Sequence, residues 1–267
     1  MIIPGIGIFD SGIGGLTVVR AVEHRLPAER LVYFGDTARV PYGTKSERTI
    51  RQFALQDSLF LLDHTVKLLV VACNTASAIA LDYLKNIFKI PVVSVIEPGI
   101  QAALQATKNG KIGVIGTTAT ITNGIYGRLL RSVNPALQVT EVACPLFVPF
   151  IEEGVVEGPL AELVVERYLR NLQTVGIDTL ILGCTHYPLF RSAIAKFMGN
   201  SIILIDSAQA TAEHIAHLFS SGIVEPNVEA DNGRQFFVSD ITPCFKKLAE
   251  RFLGRNISEI IQVDINC

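Results

Sequence analysis

The sequence predicts an α/β protein with two pseudo-symmetric domains, each built on a parallel, Rossmann-like sheet. Two observations lead to this prediction. Short apolar runs rich in isoleucine and valine alternate with segments of helical length, and the same order of runs occurs twice along the chain. Because the apolarity within each run is continuous rather than alternating, we expect helices on both faces of each sheet, as in parallel α/β proteins.

The predicted strands occur at intervals that leave room for a helix between most of them. They lie at residues 6–9, 31–34, 68–72, 92–96, 112–115, 180–182 and 202–205, with one further strand at 235–239. Turn residues separate the strands from the intervening helical segments. This alternation is typical of β-α-β units rather than of hairpins.

An internal repeat divides the chain into related halves. Residues 6–11 match 112–117, residues 40–41 match 148–149, residues 69–73 match 180–184, and residues 94–97 match 203–206. Each match is weak by itself, but all of them keep the same order and nearly the same spacing. We therefore expect a first domain of residues 1–96 completed by residues 207–267, and a second domain of residues 97–206.

The composition excludes several classes of protein. Hydrophobic residues make up 49% of the 267 residues and charged residues 18%, so a large core is available and a disordered chain is excluded. The formal charge of −2 provides no basic field for nucleic acid, and no apolar run is long enough for a membrane span. The start of the chain lacks the cationic region and cleavage site of a signal peptide, and an odd number of cysteines, 5, is typical of reduced thiols. These features predict a cytoplasmic protein with neither nucleic-acid nor membrane partners.

Cysteines stand at equivalent places in the repeat, directly after a predicted strand. Cys73 is followed by an amide and a hydroxyl side chain, and Cys184 by a hydroxyl and an imidazole. A lone cysteine is most often a small buried hydrophobic residue, but two thiols in equivalent polar surroundings favour a functional site. The start of the following helix is expected to favour the thiolate. If the halves face one another, both thiols meet at one cleft.

Other familiar chemistries do not fit the spacing of the motifs. The turn at residues 12–15 has Thr17 where the dinucleotide fingerprint needs its last glycine, and neither a Walker sequence nor a Cys-x-x-Cys pair occurs. The remaining histidines form no cluster, so no metal site is predicted, and Cys144, Cys244 and Cys267 are expected to be structural or incidental. Acid–base chemistry remains. Thiols on opposite faces of a carbon can remove one proton and deliver another, which inverts the stereocentre.

These residues belong to motifs that resemble the cofactor-independent aspartate/glutamate racemase family, and the glutamate racemases within it. The motifs are FDSGIGG at 9–15, YFGDTARVPYG at 33–43, ACNTAS at 72–77, GVIGT at 113–117, PFIEEG at 149–154 and GCTHYPL at 183–189. The resemblance covers essentially the whole chain. It implies racemase-type domains with the active site between them, and interconversion of L- and D-glutamate that supplies D-glutamate for peptidoglycan. It also suggests a homodimer.

The resemblance implies a role for individual residues. Cys73 corresponds to the base that acts on D-glutamate, and Cys184 to the base that acts on L-glutamate. Asp10 corresponds to the acidic partner of the first thiol, whereas Glu152 and His186 correspond to groups beside the second. The positions expected to hold the substrate are Asp10, Ser11, Pro41, Tyr42, Gly43, Asn74, Thr75, Thr117, Thr120, Thr185 and His186.

The residues alone leave other interpretations open. Asp10 could cap a helix, Glu152 and Glu153 could be a solvated pair, and the turns at Asp36 and Tyr42 could be structural. An aspartate racemase would carry the same thiols, and a non-catalytic amino-acid-binding protein could share the two-domain plan. A pyridoxal-phosphate racemase ranks last, because no lysine follows a strand in company with phosphate-binding glycines.

Overall fold

The first part of the chain alternates strands with the helices that cover them. The computed structural model describes residues 3–227, 233–242 and 245–265. The elements up to the middle of the chain are β1 (Gly5–Asp10), α1 (Leu16–Arg25), β2 (Leu31–Gly35), α2 (Glu47–Asp63), β3 (Val66–Val71), α3 (Asn74–Ile87) and β4 (Val92–Ser94). Short 3₁₀ turns at Thr37–Arg39 and Tyr42–Thr44 lie between β2 and α2.

The second part of the chain repeats this alternation. Its elements are α4 (Ile96–Ala106), β5 (Lys111–Gly116), α5 (Thr118–Asn123), α6 (Ile125–Val133), β6 (Gln138–Ala143), α7 (Phe147–Glu152), α8 (Pro159–Val175), β7 (Thr179–Gly183), α9 (Arg191–Met198) and β8 (Ile203–Asp206). A further 3₁₀ turn, Tyr187–Phe190, follows β7. The tail then adds α10 (Ser207–Ser220), β9 (Arg234–Val238), α11 (Phe245–Leu253) and β10 (Ile261–Gln262).

The strands form two parallel sheets with the same internal order. In the described part of the chain, one sheet has the order β10-β9-β2-β1-β3-β4 and the other the order β6-β5-β7-β8. Every strand pairing in both sheets is parallel. The order β2-β1-β3-β4 is therefore repeated as β6-β5-β7-β8, which confirms the predicted pseudo-symmetric α/β fold.

All the predicted strands are present, and two strands of the described chain were missed. Every apolar run corresponds to a strand, and the strand expected at 235–239 is β9, which extends the first sheet beside β2. They are the two-residue β10 and β6, whose sequence QVTEVA mixes polar and apolar residues. Because β6 is an edge strand and none of its residues is fully buried, it needs no continuous apolar run. The boundaries expected at residues 97 and 207 stay a prediction.

The two halves share part of their hydrophobic core. The largest cluster joins Leu16 and Ile8 of the first half to Ile115 and Phe190 of the second and to Phe252 of the tail. Continuous apolar burial of this kind opposes separation of the sheets, because opening them would expose apolar surface to water. Within the described residues, no helix has the length and apolar character needed to cross a membrane.

Candidate active site

One cavity lies where the carboxyl ends of the two sheets face each other. Its volume is about 430 Å³, and its walls are the loops that follow β1, β2 and β3 on one side and β5, β6 and β7 on the other. This is the position at which open parallel sheets build ligand sites. Among the residues predicted from the sequence, its lining contains Ser11, Pro41, Tyr42, Gly43, Cys73, Asn74, Thr75, Thr117, Glu152, Cys184, Thr185 and His186.

Cys73 lies at the junction of β3 and α3. Its sulfur accepts the backbone N–H of Ala76 at 3.5 Å, which makes it the N-cap of α3, and its thiol donates to the Ser11 hydroxyl at 3.3 Å. Burial, together with the negative charge of Asp10, raises the pKa of Cys73 to about 12 despite these hydrogen bonds. The thiolate expected from the helix start is therefore not the form that the free protein favours, because desolvation outweighs the helix terminus.

Cys184 has a different set of neighbours at the equivalent place after β7. Its sulfur lies 4.0 Å from Nδ1 of His186, and Nε2 of the same ring lies 3.1 Å from the Glu152 carboxylate at the end of α7. Burial alone would lower the pKa of His186, but the hydrogen bonds with Cys184 and Glu152 outweigh burial and raise it to about 10. The ring is therefore an imidazolium at neutral pH, with one N–H for each neighbour.

Asp10 connects the two halves behind the cavity wall. It ends β1 and is completely buried, and its carboxylate accepts from the Gly12 backbone N–H at 3.2 Å and from the Thr185 hydroxyl at 3.3 Å. Burial raises the pKa of Asp10, against the lowering effect of the His186 charge. Asp10 acts on Cys73 through its charge, whereas the hydrogen bonds of the Cys73 sulfur involve Ser11 and Ala76.

The turn that follows Asp10 brings the first half directly against the Cys184 segment. A Cβ atom added to Gly14 would overlap the Thr185 hydroxyl and the His186 ring. The Thr17 hydroxyl contacts the Thr185 carbonyl at 3.3 Å across the same junction. Gly14 is therefore required for the approach of the halves, which gives this glycine-rich turn a role other than phosphate binding.

Asn74 provides a hydrogen-bond donor without a partner in the described structure. Its Oδ1 accepts from the Tyr126 hydroxyl at 2.5 Å, but its buried Nδ2 has no hydrogen-bond partner. A buried unpaired donor is unfavourable in a protein interior unless a ligand satisfies it. Since Asn74 lines the cavity at the start of α3, an anion bound there would meet both this amide and the positive end of the helix.

Three threonine hydroxyls bridge the halves at another side of the cavity. Thr75 of α3 lies 3.0 Å from Thr117 and 3.3 Å from Thr120, and the latter two are 3.0 Å apart. Thr75 and Thr117 line the cavity, whereas Thr120 is completely buried behind them. These hydroxyls can rotate to donate to a ligand or to accept from it.

The lining carries little fixed positive charge. Among the described residues that form it, His186 is the only basic side chain, and neither lysine nor arginine is present. An acidic ligand would therefore be held by neutral donors, by the start of α3 and by the imidazolium. No group of three or more histidine, cysteine, aspartate or glutamate side chains in the described chain is placed to hold a metal ion.

Several predicted residues do not present their side chains to the cavity. Asp10 and Thr120 lie behind the wall, and the Tyr42 hydroxyl contacts the buried carboxyl groups of Asp36 and Asp57 instead. Tyr42 thus contributes to the lining as part of the loop rather than through its hydroxyl. Asp36 lies outside the lining.

Some residues of the lining were not expected from the sequence. They are Val40, Thr44, Thr118, Cys144, Pro145, Val148, Pro149 and Glu153. Cys144 follows β6 just as Cys184 follows β7, but β6 lacks the apolar run that would have marked its end. The repeated Val-Pro pairs, at residues 40–41 and 148–149, were a usable signal, since both line the cavity from opposite halves. Cys244 and Cys267 lie outside the described residues.

Comparison with known proteins relates nearly the whole chain to one family. Residues 6–215 match the family described as Asp/Glu/Hydantoin racemase. Glutamate racemases of Geobacter metallireducens and Chlorobaculum parvum are 47% and 48% identical to it, over 97% and 96% of this chain and 96% and 94% of theirs. The crystal structure of glutamate racemase from Francisella tularensis in complex with D-glutamate has a TM-score of 0.92 at 40% identity, and the match covers 100% of this chain and 99% of that one.

Substitution of Glu152 tests the charge state of His186. In Glu152→Gln, we expect the pKa of His186 to fall from about 10 by about one pH unit, because the imidazolium loses an anionic partner. The measurement is an NMR titration of the histidine rings. Because the pKa of His186 is raised in the folded protein, the pair stabilises the fold at pH values below the ordinary pKa of histidine. This contribution disappears as the pH rises through about 10.

The matched control is Glu153→Gln. Glu153 also lines the cavity and differs from Glu152 in having no hydrogen bond with His186. The control should leave the titration of His186 unchanged. An equal effect of both substitutions would contradict a specific Glu152–His186 pair.

Proposed function

Because this chain belongs to the Asp/Glu/hydantoin racemase family and is therefore a racemase, an isomerase, we propose that it interconverts L-glutamate and D-glutamate by proton transfer at Cα between two cysteines. The observation that carries the proposal is that Cys73 and Cys184, from equivalent strands of opposite halves, line one cavity. A proton can then leave one face of Cα while another arrives at the opposite face. The chain's own side chains supply both acid and base, so the proposed reaction is independent of a cofactor.

The surroundings of the two thiols support different roles for them. The imidazolium of His186, held by Glu152, can stabilise negative charge on the Cys184 sulfur through its Nδ1–H. Cys73, with a pKa raised to about 12, holds its proton at neutral pH. In the free protein Cys73 is thus a proton donor, and we assign Cys184 as the base that removes the α-proton of L-glutamate. After one turnover from L-glutamate, Cys73 has given up its proton and Cys184 has gained one, which prepares the site for the reverse reaction.

The polar lining supports an amino acid with an acidic side chain as the substrate. Removal of the α-proton places negative charge on Cα and its carboxylate, and hydrogen-bond donors that face this charge lower the barrier. The unpaired Nδ2 of Asn74 and the hydroxyls of Thr75 and Thr117 are available for carboxylate oxygens. The substrate's ammonium group would in turn meet acceptors such as the Ser11 hydroxyl and the exposed Glu153 carboxylate.

The likeness to glutamate racemases supports glutamate rather than aspartate. The curated relatives at 47% and 48% identity and the structural match at 40% identity bear that name, and the structural match has D-glutamate bound. The biological role that follows is supply of D-glutamate for peptidoglycan. A homodimer and a cytoplasmic location stay predictions from the sequence.

Removal of either sulfur tests the two-thiol reaction. We expect Cys73→Ala and Cys184→Ala each to abolish racemisation in both directions, because every turnover needs a donor and an acceptor. The double variant should lose no more than either single variant, since the thiols act as a unit. Circular dichroism, starting from each enantiomer of glutamate without added cofactor, measures both directions.

The matched control for these variants is Cys144→Ala. Cys144 is also buried and lines the cavity, and its thiol donates to the Val142 carbonyl at 3.7 Å. This variant should keep most of the parent rate. The proposed assignment of bases would be wrong if Cys144→Ala lost activity as completely as Cys73→Ala and Cys184→Ala. It would also be wrong if either of the latter two variants racemised glutamate near the parent rate.

The substrate preference is tested by comparing aspartate with glutamate and by substituting Asn74. Racemisation of aspartate should be much slower than that of glutamate, because a side chain one methylene shorter leaves donors of the site unpaired. Asn74→Ala should raise the KM for glutamate by about tenfold, the effect of losing a hydrogen bond to a charged group. Initial rates on both amino acids and their enantiomers measure this.

Tyr126→Phe provides the control for Asn74. It removes the hydroxyl that contacts Asn74 Oδ1 but leaves the unpaired Nδ2 in place, so its KM should change much less than that of Asn74→Ala. Equal rates on aspartate and glutamate would contradict the substrate assignment. Equal KM changes in the two variants would contradict the role of Nδ2.

A further inference from the structure

We propose that Asp57 is a neutral carboxylic acid at physiological pH and that its proton positions the cavity wall formed by residues 40–44. Asp57 lies in α2 and outside the cavity lining, and it is linked to the wall by the Tyr42 hydroxyl. It is therefore a positioning residue rather than a catalytic one. The effect on racemisation rests on the function proposed above, whereas the protonation state does not.

The number of available protons leads to this assignment. The Tyr42 hydroxyl lies 2.5 Å from Asp36 Oδ2 and 2.9 Å from Asp57 Oδ2, and all three side chains are buried. A phenol has one proton, so it can donate to only one of these oxygens. An ionised carboxylate has only acceptors to offer. The second short contact therefore requires a proton on one of the two carboxyl groups.

The hydrogen bonds of each carboxyl group indicate where this proton lies. Asp36 Oδ2 accepts from Arg39 Nε at 2.6 Å as well as from Tyr42, and its Oδ1 accepts from the Ser239 hydroxyl at 2.9 Å. Both Asp36 oxygens thus face donors, as expected for the ionised form. Asp57 Oδ1 accepts from Arg39 Nη2 at 2.9 Å, but its Oδ2 faces only the phenol oxygen among the contacts described. Asp57 Oδ2–H therefore donates to Tyr42, which donates to Asp36.

The buried charges agree with this arrangement. Arg39 is the cation that faces both carboxyl groups, so one ionised aspartate balances it and a second would be a buried excess charge. Burial, with the negative charge of Asp36 beside it, raises the pKa of Asp57 well above its ordinary value, although Arg39 and the contact with Tyr42 oppose this shift. Gln56 and the Phe53 ring, 4.0 Å from the guanidinium, complete the surroundings of Arg39.

The network lies directly behind a wall of the active site. The loop of residues 40–44 contributes every one of its residues to the cavity lining, and a Cβ atom added to Gly43 would lie 3.1 Å from Thr117 of the other half. A shift of Tyr42 would therefore move the wall relative to the threonine hydroxyls. The same network reaches the tail through Ser239, at the end of β9.

Isosteric substitutions distinguish the two aspartates. In Asp57→Asn, the amide can donate to Tyr42 and accept from Arg39, so the KM for glutamate should stay within about twofold of the parent value. In Asp36→Asn, the largely buried Arg39 loses the ionised carboxylate that balances its charge, and the KM should rise by about tenfold with a smaller change in kcat. Asp63→Asn, an exposed aspartate at the end of the same helix, is the control and should change neither.

Infrared spectroscopy tests whether the Asp57 carboxyl group is protonated, and this measurement does not depend on enzymatic activity. The difference spectrum between the parent protein and Asp57→Asn at neutral pH should contain the C=O stretch of one protonated carboxyl group, which shifts in deuterium oxide. The spectrum of Asp63→Asn should lack it. Absence of this band in the Asp57 difference spectrum, or equal KM increases in Asp57→Asn and Asp36→Asn, would overturn the proposal. If the parent did not racemise glutamate, the proposed function would fail while the infrared result still decided the protonation of Asp57.

Discussion

The active site depends on the close approach of the turn after β1 to the segment after β7. Gly14 lies so near Thr185 and His186 that no side chain fits between them, and the Asp10 carboxylate accepts from the Thr185 hydroxyl at the same junction. This contact brings the carboxyl ends of the two sheets to face each other. As a consequence, sulfurs on equivalent strands of the two halves line one cavity rather than two separate surfaces.

Burial then makes the two thiols chemically different, although the backbone around them is nearly symmetric. Desolvation and the charge of Asp10 raise the pKa of Cys73, and no cationic side chain contacts its sulfur in the described structure. The Cys184 sulfur faces an imidazolium whose own pKa is raised by Glu152 and by that sulfur. The repeat therefore supplies the geometry for two bases, and the side chains that differ between the halves give the two thiols different electrostatic surroundings.

Much of the fold could be predicted because parallel strands covered on both faces require continuous apolar runs. β6 could not, since an edge strand tolerates polar residues, and for the same reason Cys144, which follows β6, was not expected in the cavity lining. The candidate bases were found from their position after the strands, but the Glu152–His186 pair was identified only through resemblance to a family. Desolvation at Cys73 and the direction of the Tyr42 hydroxyl depend on tertiary packing, which the local sequence does not encode.

The most direct test of the central claim is the fate of the α-proton in deuterium oxide. When the reaction starts from L-glutamate, early D-glutamate should carry deuterium at Cα, because the thiol that delivers its proton has exchanged with solvent. The remaining L-glutamate should keep its protium over the same period. Mass spectrometry of the separated enantiomers at low conversion measures both. Substantial transfer of the original protium into D-glutamate would show that one base serves both faces and would contradict the account.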